Sequence, residues 1–179
     1  LKILFVGANA LERETLRLDK EMRSIQEVLP PHNRFKFIPL MATTTQNLEN
    51  ALFDHTPHFI HFAGHGTDSG IALLHARTDQ EQIISTDSLA NLLKLFSQEV
   101  QCVFLNSCYS EVQASQIQQF IPHVIGMKSA VGDETAIVFS TAFYKAIGKG
   151  RDIGFAFEFA KNAIALNNLK GSDLPVHLY

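Results

Sequence analysis

The chain has 179 residues, 46% of them hydrophobic and 18% charged, with a formal net charge of −3. That length fits one domain with a substantial core, and the composition is not that of a disordered chain. No basic run suited to a nucleic-acid groove is present, and no apolar run approaches the roughly 20 residues that span a bilayer, so neither nucleic acid nor membrane is expected as a direct partner.

Lys2 to Gly7 is a continuous apolar run closed by glycine, the pattern of a strand buried on both faces of a parallel sheet. Leu11 to Leu29 reads as a helix, with Leu16, Met22, Ile25 and Leu29 at near-helical spacing, stopped by Pro30-Pro31. Phe35 to Leu40 is expected as a second strand, and Thr45 to His55 as a short helix with Thr45 as its N-cap. Pro57 to Ala63 is the third strand. Gly70 to His75 and Gln82 to Ile84 read as a smaller hairpin, and Thr86 or Asp87 caps a helix running through Phe96.

Gln101 to Asn106 is the fourth strand, followed by a helix from Glu111 to Phe120 and a fifth strand from His123 to Lys128. Two further helices, Asp133 to Ile147 and Ile153 to Leu166, are separated by Gly148-Lys149-Gly150. In the second, Ile153, Phe157, Ala160 and Ile164 form one stripe that leaves Phe155 and Phe159 off it. An extended tail, Leu174 to Tyr179, follows. The chain starts at Leu1 inside an apolar run, without Met, and is expected to be a piece of a longer protein.

Strands alternating with helices imply βαβ units. The expected fold is α/β, a mostly parallel central sheet with helices on both faces, in a single domain over residues 1–179. Such sheets bind ligands outside the carboxyl ends of their strands. Two motifs stand at those ends: His61-Phe62-Ala63-Gly64-His65-Gly66 and Asn106-Ser107-Cys108-Tyr109-Ser110.

Cys108 falls in a strand-to-helix turn. A nucleophile there is exposed at the sheet edge and faces a helix N-terminus, which favours the thiolate. Its own backbone N–H is placed to stabilise an oxyanion. His65 lies between Gly64 and Gly66, which let the backbone turn sharply and leave room for a substrate chain. From that loop it can serve a thiol on the next strand as base, with the Gly66 N–H as a second oxyanion donor. His61, inside the apolar strand, reads as a core histidine, and Cys102 as a core cysteine.

Other readings of these residues are weaker. Gly64-His65-Gly66 with Gly70 lacks the following helix that a dinucleotide fingerprint requires. His61 and His65 lie on a strand and a loop, without zinc-ligand spacing to Cys108, so no metal and no cofactor is expected. Six strand residues span roughly 20 Å, and a disulfide tolerates about 7 Å between Cα atoms. Cys102 and Cys108 are therefore expected unbonded, which points to a reducing, cytoplasmic compartment. Asp133-Glu134 either complement a helix dipole or put an acid beside a substrate pocket.

HFAGHG and LNSCYS, with the opening LFVGANA and LRLDKEMRSI, resemble a CHAT domain, the caspase-like peptidase domain found in bacteria with tetratricopeptide repeats. Val124-Ile125-Gly126-Met127, Gly132-Asp133-Glu134-Thr135-Ala136 and Phe139 to Tyr144 extend the likeness over essentially the whole chain. The resemblance implies a caspase-like three-layer sandwich and a Cys–His dyad at Cys108 and His65, with oxyanion donors at the backbone of Gly66 and Cys108. In separase-like relatives an acid after the strand following the nucleophile binds a basic P1 side chain, the residue before the scissile bond, and Asp133 is the matching position. Other relatives cleave after apolar residues, and no Arg cluster favours an acidic P1.

The implied function is a cysteine endopeptidase acting on a protein substrate. The family implies a bacterial defence or cell-death pathway, with activation by a neighbouring domain or partner. A catalytically silent caspase-like scaffold that works by assembly is the rival from a different class. An acyltransferase or thioesterase using the same cysteine is a third. The polar stretch Thr67 to Gln82 is the expected place of any reordering on activation.

Overall fold

The computed structural model describes residues 1–8, 18–30, 34–67, 69–78, 80–173 and 175–179. Strands β1 (Lys2–Ala8), β2 (Lys36–Leu40), β3 (Phe59–Gly64), β7 (Cys102–Asn106), β8 (His123–Met127) and β9 (Pro175–Leu178) form a six-stranded sheet in the order β2-β1-β3-β7-β8-β9. The first five are parallel, and β9 closes one edge antiparallel to β8. A small antiparallel sheet, β4 (Gly66–Thr67), β5 (Gly70–Leu74) and β6 (Glu81–Ser85), is inserted between β3 and β7.

Helices α1 (Leu18–Val28), α5 (Asp133–Gly148) and α6 (Ile153–Leu166) lie on one face; α2 (Thr45–His55), α3 (Thr86–Lys94) and α4 (Glu111–Ile117) lie on the other. Successive strand residues point to opposite faces. Leu4, Val6, Ile60, Phe62, Val103 and Leu105 therefore pack toward α2, α3 and α4, while Ile3, Phe5, Phe59, Ala63 and Phe104 pack toward α1, α5 and α6. Burial on both faces explains why these strands read as unbroken apolar runs. The expected α/β fold with helices on both faces is the observed one.

The structure departs from the sequence reading at several element ends. The expected helix from Leu11 is observed from Leu18, its earlier part lying outside the described residues. The N-caps fall one residue earlier than expected: the Thr44 hydroxyl accepts the Asn47 N–H at 3.2 Å, and Ser85, not Thr86 or Asp87, accepts the Ser88 N–H at 3.2 Å. The helix after Cys108 ends at Ile117. The stretch Thr67 to Gln82 is not simply a polar loop, since β5 is buried throughout and Ile71 and Leu73 join the core beneath α2 and α3.

Candidate active site

Strands β3 and β7 are parallel neighbours with Ala63 opposite Asn106. Both motif loops therefore leave the sheet side by side at its carboxyl edge. Gly64 has φ +149°, a left-handed value suited to glycine, and the chain turns there into His65. The His65 carbonyl accepts the Ala72 N–H at 3.0 Å, which fastens the loop to β5.

The space at Gly66 is filled, which differs from the room for substrate expected there. A β-carbon on Gly66 would lie 2.7 Å from the Cys108 carbonyl oxygen and 2.8 Å from both Ser107 Cβ and Oγ. Only a glycine lets the two motif backbones approach so closely. A second tie runs the same way: Gln113 Nε2 on α4 donates to the Thr67 carbonyl at 2.8 Å.

Cys108 is half-buried and free, and the buried Cys102 is free as well, its thiol pushed well above the usual range by burial. Tyr109 adopts a left-handed φ of 58°, a strained value for a bulky side chain. Ser110 holds this turn in place: its buried Oγ donates to the Leu105 carbonyl at 3.0 Å and accepts the Met127 N–H at 2.9 Å. His65 is half-buried, and its Nε2 is buried with no hydrogen-bond partner, Cys108 included. In ligand-free sites such bonds often tighten only when substrate arrives.

A narrow cavity opens beside Cys108. The space open to the centre of a water is about 40 Å³. Glu21, Asn106 and Ser107, only 4%, 6% and 2% exposed, form its buried end. Leu18, Val131 and Ile137 form apolar walls, and the exposed Asp133 lies at its outer end. Asp133 is not the N-cap of α5: that residue is Gly132, without a side-chain cap bond.

Beneath the cavity, Glu21 Oε1 accepts the Asn106 Nδ2 amide and the His61 Nε2–H, the latter at 3.1 Å. His61 Nδ1 lies 3.3 Å from the Tyr144 hydroxyl, which donates to it if Nε2 carries the ring proton. Burial, with Cys102 and Glu21 adding, raises Tyr144 well above the usual phenol range and keeps that donor protonated. His61 is fully buried and stacks between Phe5 and Phe104 at 5.1 and 4.5 Å. It is a core histidine, as the sequence reading had it.

Sequence reasoning passed over Glu21 and Asn106. The available signal was Glu21's place on the stripe of Leu18 and Ile25, where an acid must find buried partners. Among the described residues no group of three or more His, Cys, Asp or Glu could hold a metal ion, and no helix is long and apolar enough to cross a membrane.

Residues 8–171 match the CHAT domain family. A curated relative, a Roc-COR-CHAT protease from an unknown prokaryotic organism, is 23% identical over 174 residues, covering 91% of this chain and 16% of its own length. The chain thus spans about a sixth of that relative. Among solved structures, the Arg-specific cysteine proteinase gingipain R is similar with TM-score 0.65 at 12% identity, over 96% of this chain and 43% of that one. A second, described as a protease, gives TM-score 0.62 at 12% identity over 99% and 46%. These likenesses establish a caspase-like fold.

Proposed function

This chain belongs to the CHAT domain family, and from that premise we propose that it is a cysteine endopeptidase with Cys108 as nucleophile and His65 as its base. His65 takes the thiol proton as Cys108 Sγ attacks the scissile carbonyl carbon. The backbone N–H groups of Gly66 and Cys108 hold the resulting oxyanion. Collapse of that intermediate breaks the C–N bond, and His65 returns the proton to the leaving amine. Water, deprotonated by His65, then attacks the thioester, releasing the acid and restoring the thiol.

The observation that carries this reading is the contact at Gly66, which brings the histidine loop against the Cys108 carbonyl and the Ser107 side chain. An unpartnered Nε2 on His65 leaves that nitrogen free to take a proton. Asp133, at the outer end of the cavity, borders the substrate side chain. The substrate is a protein. The multidomain name of the curated relative supports control by a neighbouring domain, in a prokaryotic defence or cell-death pathway of the cytoplasm.

A second reading, a silent scaffold, draws on Phe155 and Phe159, exposed on α6 and stacked at 6.2 Å with Arg151 against the Phe155 ring. Peptidyl electrophiles with varied P1, followed by intact mass on wild type, Cys108→Ala and His65→Ala, separate the two. Adducts on Cys108 that require His65 support the peptidase. A folded wild type that takes none, with its activating context present, supports the scaffold.

A further inference from the structure

Glu21, on α1, is bonded to both of the strands that carry the motif loops. Its Oε1 accepts the Asn106 Nδ2 amide from β7 and the His61 Nε2–H from β3, the latter at 3.1 Å. In the β3–β7 register His61 stands opposite Phe104 and Ala63 opposite Asn106, so His61 and Asn106 are diagonal neighbours on one face of the sheet. Asn106 ends β7 two positions before Cys108, and His61 stands four positions before His65. One carboxylate oxygen thus ties the strand of the nucleophile to the strand of the base. The His61 arm is itself held, with the Tyr144 hydroxyl 3.3 Å from Nδ1 and the rings of Phe5 and Phe104 stacked on the imidazole.

Core filling does not account for an acid at this place. Glu21 is 4% exposed and shares the buried stripe of α1 with Leu18 and Ile25. Apolar side chains of similar volume are often as stabilising as a buried, paired carboxylate, or more so. What the carboxylate adds is a fixed geometry. The β3–β7 ladder ends at Ala63 opposite Asn106, and beyond it the two loops meet at Gly66 without room for one β-carbon. A misplacement of about 1 Å caused by a remote change can lower a rate on the order of 10²-fold.

We propose that Glu21 is a positioning residue for the Cys108–His65 pair, clamping the ends of β3 and β7 together through His61 and Asn106. This deepens the peptidase reading and rests on it. Glu21 acts through its two partners, and the acceptor oxygen, not the negative charge, is what the site requires.

Iodoacetamide tests the clamp. Cys102 is buried and its thiol is pushed well above the usual range by burial, so alkylation of the folded chain reads Cys108. Rates are followed by intact mass from about pH 5 to about pH 9 in wild type, Glu21→Gln, Glu21→Leu and His65→Ala. Gln keeps an oxygen able to accept from both donors; Leu keeps the volume without an acceptor. Glu21→Leu slows alkylation at neutral pH at least about fivefold and moves the half-maximal pH upward, toward that of His65→Ala. Glu21→Gln retains the wild-type profile. His61→Phe, which keeps an aromatic ring between Phe5 and Phe104 and cuts the β3 arm, shifts the profile as Glu21→Leu does and serves if that variant does not fold.

A folded Glu21→Leu or His61→Phe with the wild-type profile overturns the proposal. So does an equal shift in Glu21→Gln, which would assign the effect to charge. If His65→Ala moves the profile and Glu21→Leu does not, the clamp alone fails. If His65→Ala leaves the wild-type profile unchanged, the dyad reading fails and the clamp falls with it.

Discussion

Gly66 and Cys108 are packed backbone to backbone, so that a single added β-carbon on Gly66 would fall 2.7 Å from the Cys108 carbonyl oxygen. The atoms in the way are main chain and the first side-chain atoms of Ser107, which cannot swing aside as a long side chain could. Gly66→Ala is therefore expected to cost about 1–3 kcal/mol of stability by overpacking and to reduce turnover far beyond that, since the loops must separate. Equal kcat/KM in Gly66→Ala and wild type would show that the close approach has no catalytic role.

Cys108→Ala is expected to abolish peptide cleavage, and His65→Ala to lower it by about 10²–10⁴-fold, the usual weight of general acid–base help. Cys108 is half-buried and His65 Nε2 bonds to nothing, so both variants should melt within a few degrees of wild type. Proteolysis that persists in Cys108→Ala would remove this cysteine from the chemistry.

Ser110→Ala removes the acceptor of the buried Met127 N–H and the donor to the Leu105 carbonyl. Leaving a buried amide unpaired costs about 1–3 kcal/mol, and denaturant midpoints should fall accordingly. The turn bearing Cys108 loses its tie to β8 at the same time. Electrophile labelling of Cys108 should therefore slow even at temperatures where the variant remains folded.

His123 Nδ1 and His177 Nε2 meet at 3.1 Å across β8 and β9. Burial lowers both imidazoles from their usual range, with Asp152 opposing at His123, and with His123 adding and Glu158 opposing at His177. A depressed imidazole binds its proton more readily in the unfolded chain. Its stability contribution is thus complete above the unfolded value of about 6.5 and is lost as the pH falls toward and through the folded value. The melting temperature should drop from about pH 7.5 to pH 5, and less steeply in His123→Gln. His58 is lowered too, mainly by burial, so the difference in slope between the two proteins is the readout. Parallel curves would place the acid sensitivity elsewhere.

The parallel strands could be read from the sequence because burial on both faces leaves each one an unbroken apolar run, as in Lys2 to Gly7 and Gln101 to Asn106. The helix Ile153–Leu166 was bounded by its stripe and by the glycines before it. Strand β4, two residues long, and β9, which begins at a proline, carry no local pattern; they exist because neighbours pair with them. Thr43, Thr44 and Thr45 offer the same hydroxyl, so the sequence alone does not single out Thr44 as the cap. Cys108 and His65 stand out because glycines and strand ends frame them. Glu21 does not, because an acid on a helix looks like surface until its partners, 40 and 85 residues away, are known.

Those separations have a consequence for how the protein comes into being. The contacts at the buried end of the cavity join Glu21 to His61, His61 to Tyr144 and Glu21 to Asn106, across 40, 83 and 85 positions. Closing loops of that length costs entropy before the contacts repay it. The floor beneath Cys108 is therefore assembled only when α1, β3, β7 and α5 have all docked. A chain still being synthesised, with α5 not yet made, already carries its cysteine and histidine but lacks Tyr144 and the completed network. If the site works as proposed, its competence belongs to the finished fold, because the floor beneath Cys108 closes only with α5 in place.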